Sequence, residues 1–142
     1  MRLSSKGEYA CLAMLYLGRH AESRPIPTQE IATQNGIPRK FLEQILLTLK
    51  RAGYVQSRRG PEGGYFLAKP ANGISLAEII RLMDGPLAPV GAVSEYFHAS
   101  TPVERSSALM TVFRDIRDYL AEKLEMTTFA DLLEMEDRAP GG

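Results

Sequence analysis

Cysteine and long hydrophobic runs are both scarce in this sequence. A single cysteine among 142 residues excludes an internal disulfide framework and any cysteine-only zinc or iron–sulfur site within one chain. The longest apolar run covers only residues 9–17. It is too short to span a bilayer, and it lacks a signal-peptide cleavage pattern. We therefore expect a cytoplasmic protein without a membrane segment.

Signatures of catalysis are also missing. Residues 60–65, GPEGGY, lack the Gly-Lys-Ser/Thr ending of a phosphate-binding loop, and the sequence has no Gly-x-Ser-x-Gly nucleophile elbow. Glu95 and His98 have the spacing of a metal-binding pair, but a lone pair on a predicted loop is weak evidence. Four carboxylates on one predicted helix face are more typical of a solvated surface. They are Asp115, Asp118, Glu122 and Glu125. We expect neither an enzyme nor a metal site.

Charge is distributed unevenly although the formal net charge is zero. Residues 1–69 contain eleven Lys or Arg against five Asp or Glu, whereas residues 70–142 contain six against twelve. A basic first half is typical of proteins that bind a polyanion such as nucleic acid. Chance clustering of charges on solvated surfaces explains the asymmetry equally well, so charge alone does not decide.

The first half of the chain predicts three helices. Apolar residues recur every three or four positions over residues 6–20, which indicates the first helix. Thr28 is positioned to cap a short second helix that Gly36 ends. Pro38 suits the first turn of a third helix, which continues to Gly53. A short helix, a glycine turn and a longer helix are the pattern of a helix-turn-helix.

A β-hairpin is predicted directly after the third helix. Residues 54–57 and 65–68 have strand character, and residues 58–64 contain too much glycine and proline for regular structure. A hairpin with a basic tip that follows a helix-turn-helix is a wing. The predicted fold class is therefore mainly α with a small β-hairpin wing, that is, a winged helix-turn-helix with a long additional helix.

The second half predicts a loop between two helices. Ser75 caps a fourth helix that ends at Asp84, and residues 85–102 form a loop with a short helix near residues 93–97. Pro102 is expected to open a long helix. Thr128 caps a last helix over residues 129–134, and residues 137–142 are expected to fray. We predict a DNA-binding domain at 1–84, followed by a sensor loop and dimerisation region at 85–142.

The long helix carries a continuous apolar stripe, which consists of Leu109, Val112, Phe113, Ile116, Tyr119, Leu120 and Leu124. A helix of this length exceeds what a winged-helix unit needs, so we expect the stripe to pair with a second copy of the chain. The alternative is a helix packed wholly on its own domain. Cys11 lies among apolar residues of the first helix, and we expect a buried small side chain rather than a redox thiol.

Polar residues at the start of the third helix could contact base edges in a major groove. Arg39 and Lys40 could donate to guanine or phosphate, Gln44 could pair with adenine, and Glu43 could accept from cytosine. Arg58 and Arg59 suit a minor groove. The alternative is that these polar residues form a solvated surface without a partner. The candidate DNA-binding residues are Arg2, Ser4, Lys6, Thr28, Pro38, Arg39, Lys40, Phe41, Glu43, Gln44, Lys50, Arg58, Arg59, Gly63, Gly64 and Tyr65.

Four stretches of the sequence resemble the Rrf2 family of bacterial transcription regulators. They are MRLSSKGEYA at 1–10, the segment 37–46 with Ile-Pro and FLEQIL, RGPEGGY at 59–65, and TTFADLL at 127–133. The resemblance covers nearly the whole chain. It implies a homodimeric winged helix with a long helix crossed between subunits. It also implies DNA contacts from the third helix and the wing, and a sensor between the fourth and the long helix.

The sequence departs from this family at the sensor. In cluster-bearing members three cysteines there hold an iron–sulfur cluster, and by alignment their positions fall near Ala92, Thr101 and Ser107, none of them cysteine. Glu8 matches an acidic ligand of some members but cannot hold a cluster alone. We therefore expect no cofactor. Three explanations remain open: the protein senses a small molecule or partner protein, it binds constitutively, or its cysteines were replaced by engineering.

The function predicted from these observations is sequence-specific transcriptional regulation. We expect a homodimeric repressor that binds a palindromic operator in double-stranded DNA without an iron–sulfur cluster. The alternative from another class is a protein–protein docking module, in which the winged helix binds an acidic partner and never contacts DNA. The two differ in salt dependence and in preference for one sequence over random duplex.

Overall fold

A computed structural model describes residues 2–94 and 99–139. This part of the chain contains six α-helices, one antiparallel β-hairpin and three short 3-10 turns. The elements are α1 Ser5–Arg19, α2 Thr28–Asn35, α3 Arg39–Arg51, β1 Val55–Arg58, β2 Gly64–Leu67, α4 Leu76–Asp84, α5 Ser107–Met126 and α6 Phe129–Arg138, with 3-10 turns at Ala71–Gly73, Gly91–Val93 and Pro102–Arg105. The predicted winged helix-turn-helix with an additional long helix is confirmed.

The main core surrounds α1. Small and apolar residues of α1, among them Ala10, Ala13 and Met14, are fully buried because their spacing places them on one helix face. They belong to the same cluster as the buried face of α3 and as Phe129 at the start of α6, which is also fully buried. The DNA-binding elements predicted for the first half are therefore completed by a side chain from the end of the chain.

Backbone hydrogen bonds join the C-terminal segment to the start of α4. The amide of Leu76 donates to the Thr127 carbonyl at 2.8 Å, and the amide of Phe129 donates to the Ile74 carbonyl at 3.0 Å. Ser75 and Thr128 cap α4 and α6, each within a reciprocal capping box, as predicted. This pairing fixes α6 where Phe129 enters the core. The division of the chain at residue 84 stays a prediction.

Two smaller clusters hold the segment between α4 and α5. Ala92 and Val93 pack with Met110 and the half-buried Phe113 of α5. The Arg117 guanidinium also donates from Nη1 to the Val93 carbonyl at 2.9 Å. A second cluster joins Leu87 to α4 and to the half-buried Leu124. The segment after α4 is thus packed against α5 by apolar side chains and by the hydrogen bond from Arg117.

Several predicted helix starts and ends were wrong. Thr28 is the first helical residue rather than the cap, because Pro27 already has the extended N-cap conformation. Pro38 likewise lies just before α3. Pro102 opens only a 3-10 turn, and α5 begins at Ser107 because the Ser106 hydroxyl accepts from the Leu109 amide.

The last helix and the strands also differ from their predicted bounds. The sequence predicted an end at residue 134, whereas α6 continues to Arg138. Each strand is displaced by one residue, and the register pairs Val55 with Leu67 and Arg58 with Gly64. Within the described ranges, none of the helices combines the length and apolarity that crossing a bilayer requires.

Candidate nucleic-acid interface

The turn between α2 and α3 is built by Gly36 and Ile37. Gly36 adopts a left-handed conformation with φ of 64°, which suits glycine, and it ends α2. Ile37 is buried, and its amide donates to the Ala32 carbonyl at 3.0 Å. Neither Pro27 nor Pro38 makes a side-chain cap. The first amides of α2 and α3 therefore have no side-chain acceptor at the N-cap.

Opposite faces of α3 differ sharply in exposure. The apolar face, comprising Leu42, Ile45, Leu46 and Leu49, is at most 1% exposed. The predicted DNA-contacting side chains of this helix, Arg39, Lys40, Glu43, Gln44 and Lys50, are all exposed. Phe41, another predicted DNA-binding residue, is 41% exposed, and its ring packs edge to face with the Tyr9 ring, the two ring centres lying 5.6 Å apart.

Arg39 is held by neighbours on two helices. Its Nε donates to Glu43 Oε1 at 3.1 Å, and its Nη1 donates to Gln29 Oε1 at 2.9 Å. Gln29 lies on α2 and was absent from the predicted site. Its position in the first turn of α2, beside the first turn of α3 in a helix-turn-helix, is a signal that could have identified it.

The wing depends on two adjacent glycines. The Gly63 amide donates to the Gly60 carbonyl at 2.9 Å, which closes the turn. A Cβ atom on Gly63 would lie 2.1 Å from the Arg58 carbonyl oxygen, and one on Gly64 would lie 2.3 Å from the Ile26 carbonyl carbon. Both contacts are with backbone, so no side chain fits. These two predicted site residues shape the wing itself.

The base of the wing is attached to the rest of the domain on both sides. Tyr65 and Ile26 exchange backbone hydrogen bonds of 2.8 Å, so the segment before α2 pairs with β2. Lys50 at the end of α3 donates to the Ser57 hydroxyl at 2.7 Å. The Arg58 guanidinium lies 5.8 Å from the centre of the Phe66 ring. Arg59 at the wing tip is exposed.

A groove of about 1070 Å³ separates the wing tip from the loop before α2. It is lined by three arginines and three glutamates together with smaller residues: Arg24, Arg58, Arg59, Glu22, Glu30 and Glu62. Arg24 donates to Glu30 at 2.8 Å. The hydrogen bond from Tyr16, at 2.6 Å, and the one from Arg24 lower the pKa of Glu30. This ion pair fixes the loop that borders the wing.

The chain start is bound to the end of α4. The Ser4 hydroxyl caps α1 by accepting from the Gly7 amide at 3.0 Å. The Asp84 carboxylate accepts from the Ser4 amide at 3.0 Å and from the Ser4 hydroxyl. Arg2 is exposed and Lys6 is half-buried. Ser4 therefore has a structural role, and the two basic residues flank it.

The residues near the expected cysteine positions do not fit a thiolate-held cluster. Ala92 has no donor atom and is buried in the apolar cluster. The Thr101 hydroxyl is buried without a hydrogen-bond partner among the described residues, and Ser107 is exposed at the start of α5. Residues 2–94 and 99–139 contain no group of three or more His, Cys, Asp or Glu side chains that could hold a metal. Glu95 and His98 lie outside the described residues.

The predicted dimerisation stripe divides into two sets. Leu109, Val112, Ile116 and Tyr119 are 41–68% exposed. Phe113, Leu120 and Leu124 are half-buried, and Phe113 and Leu124 pack against the smaller clusters of their own chain. The four carboxylates Asp115, Asp118, Glu122 and Glu125 are exposed, and Asp118 and Glu125 form ion pairs with Arg117 and Arg81.

Comparisons with known proteins agree on one family. The Rrf2 family, described as "Iron-dependent Transcriptional regulator", matches residues 3–135. A Mycobacterium tuberculosis protein named as an HTH-type transcriptional regulator is 41% identical over 133 residues, 93% of this chain and 81% of that protein. The regulator CymR of Bacillus subtilis is 34% identical over 137 residues, 96% of this chain and 93% of CymR.

Solved structures give the same result. The structure of B. subtilis CymR, titled as its global cysteine regulator, has a TM-score of 0.78 and 32% identity, and the match covers 95% of this chain and 98% of that one. The T. potens IscR structure has a TM-score of 0.76 and 29% identity, and the match covers 100% of this chain and 94% of that one. The similarity therefore extends over the helix-turn-helix, the wing and the long helix.

Proposed function

This chain belongs to the Rrf2 family of transcriptional regulators, and we propose that it is a cytoplasmic homodimeric repressor of a palindromic operator that needs no iron–sulfur cluster. The observation that carries the proposal is the attachment of α3 to the wing. The Lys50–Ser57 hydrogen bond joins α3 to β1, and the Ile26–Tyr65 hydrogen bonds join the segment before α2 to β2. The polar side chains of α3 and of the wing tip stay exposed. Two such surfaces at a fixed distance suit adjacent grooves of one duplex.

Base recognition is assigned to the start of α3. Lys40 and Gln44 are exposed one turn apart, so both can point into a major groove, where lysine suits guanine and glutamine suits adenine. The amides at the starts of α2 and α3, which have no side-chain cap, suit phosphate oxygens. Arg59 at the exposed wing tip suits a minor groove.

A second copy of the chain is the proposed partner of α5. Four large apolar side chains on one face of a helix are exposed, from Leu109 to Tyr119, and water contact with such a face is unfavourable. A twofold axis through this face would place two α3 helices on one DNA molecule, as a palindromic site requires. A dimer bound across promoter DNA would exclude polymerase, so repression would require no further surface.

Operation without a cluster rests on the donor chemistry of the sensor segment. Alanine offers no ligand atom, and serine and threonine hydroxyls are poor ligands for iron in clusters, which prefer thiolates. The apolar packing of Ala92 and Val93 against α5 holds this segment by other means. A regulatory signal would then come from a small molecule or a partner protein.

The test is selection from a random duplex pool with metal-free protein at physiological salt. Enrichment of a palindrome is expected, and log affinity for it should fall linearly with log salt concentration as counterions are released. Binding without any sequence preference would contradict the proposal. Weak, unselective DNA binding together with tight binding to an acidic protein would favour a docking module instead.

A further inference from the structure

Gln29 forms the middle of a hydrogen-bonded row of side chains across α2 and α3. Its Nε2 donates to the Thr33 hydroxyl at 3.0 Å, and its Oε1 accepts from Arg39 Nη1 at 2.9 Å. Because Thr33 takes the nitrogen side of the amide, the oxygen side faces the guanidinium. The reversed amide would place N–H groups against a cation.

Arg39 is thereby held at two points. Glu43 accepts from Nε at 3.1 Å while Gln29 accepts from Nη1. A guanidinium has five N–H groups, so one N–H on Nη1 and two on Nη2 are left after these bonds. The outer N–H groups of Nη1 and Nη2 form the terminal edge of the planar group, which can donate two parallel hydrogen bonds when Gln29 accepts from the inner N–H of Nη1. Guanine O6 and N7 are a matching pair of acceptors in the major groove.

We propose that Gln29 is a positioning residue that presents the terminal edge of Arg39 to a guanine. Glu43 completes this arrangement by holding Nε, so its carboxylate is engaged by Arg39. Gln29 touches no base in this assignment and acts through Arg39. The inference rests on the proposed function, since it concerns how a DNA-binding helix selects one base pair.

The contribution of Gln29 is to reduce the number of Arg39 rotamers before binding. Both partners of the Arg39–Glu43 pair are more than half exposed, at 55% and 52%, so each contact is weak on its own. Two contacts on different nitrogens restrict the guanidinium more than one does, because they fix both its position and its plane. The expected effect of losing Gln29 is therefore modest in affinity and specific to one base pair.

The experiment compares discrimination by four single variants and one double variant. After selection of a preferred site, affinity is measured for that site and for sites in which each G·C pair is replaced in turn. Arg39→Ala should abolish preference at one G·C pair, a loss of about 5- to 100-fold. Gln29→Met keeps the side-chain length without an acceptor and should reduce the same preference about two- to fivefold. It should have no effect when Arg39 is already alanine.

Two matched variants separate positioning from general effects. Gln29→Glu keeps the acceptor, so preference should persist although its added charge weakens binding to all DNA. Gln34→Ala removes another exposed glutamine of α2 and should change nothing. Equal discrimination by Gln29→Met and parent, or additive losses in the double variant, would overturn the inference alone. A parent that selects no sequence would overturn the proposed function as well.

Discussion

Individual residues in this protein are constrained by close backbone or carboxylate neighbours. The pKa of the Cys11 thiol shows the effect of such neighbours most clearly. Burial raises the pKa of its thiol from 9.0 to about 11, and the nearby carboxylates of Asp84 and Glu8 add to the shift. The neutral thiol is therefore favoured in the folded state, as expected for a small apolar-like side chain.

Alkylation should be slow in the folded protein. Because the pKa of Cys11 is raised in the folded state, the contribution of this thiol to the free energy of unfolding is fully present below pH 9. It is lost as the pH rises from 9 toward about 11. Iodoacetamide should label the native thiol far more slowly at pH 8 than it labels the protein unfolded in urea, because only the thiolate reacts. Mass spectrometry measures both rates. Cys11 is half-buried rather than fully buried, and equal rates would contradict its protection in the folded state.

Gly64→Ala should lower the free energy of unfolding by about 1–3 kcal/mol. The added methyl group would lie 2.3 Å from the Ile26 carbonyl carbon and 2.7 Å from the Pro27 nitrogen, so backbone must move. Gly73→Ala is the control, because no atom lies within 4 Å of its Cβ position. Urea unfolding of both variants checks this. Equal stability of the Gly64→Ala and Gly73→Ala variants would contradict the close packing of β2 on Ile26.

At the scale of elements, α3 and the wing have different roles in the proposed binding to DNA. The side chains near the start of α3 suit base edges, whereas Arg59 suits the backbone potential of a narrow groove. This difference is testable because a base contact affects one sequence, while a phosphate or groove contact affects all sequences.

Lys40→Ala and Gln44→Ala should each weaken binding to the preferred site by about 1–3 kcal/mol for a lost base contact. Arg59→Ala should weaken binding to preferred and random duplexes alike. Titrations on both duplexes at two salt concentrations distinguish these outcomes. The assignment of α3 to base recognition fails if the α3 variants bind the preferred site as the parent does.

The elements were largely predictable from local chemistry, and their ends were less so. Gly36 and Gly53 mark the ends of α2 and α3 because glycine adopts the left-handed conformation easily. The start of α5 was wrong because both Pro102 and Ser106 are acceptable at a helix start, and only the structure shows that the serine caps it.

At the scale of the whole molecule, contacts distant in sequence were beyond prediction. Ser4 meets Asp84 across 80 positions, and a Cβ atom on Gly7 would lie 2.4 Å from the same carboxylate. Nothing local in either segment specifies this pairing. The Gln29–Arg39 contact spans only ten positions. It was missed although the predicted helix-turn-helix places the first turns of α2 and α3 side by side. The exposed apolar face of α5 also belongs to the scale of the whole molecule, because its proposed partner is a second copy of the chain.

Val112→Glu should convert the proposed dimer to monomers. Val112 is 54% exposed on the apolar face of α5. At a twofold interface the new carboxylate would be buried without a cationic partner and would lie near the same carboxylate of the second copy. Arg114→Glu, on an exposed position of the same helix, is the control. Sedimentation velocity measures the mass of each. A Val112→Glu variant that stays dimeric would assign the interface to another surface.

Phe129 also links the end of the chain to the packing of its beginning during synthesis. The ribosome produces α2, α3 and the wing before residue 129, whereas the core that these elements share includes the fully buried Phe129 side chain. Translation that stops before α6 therefore yields a product that lacks one side chain of its close-packed core.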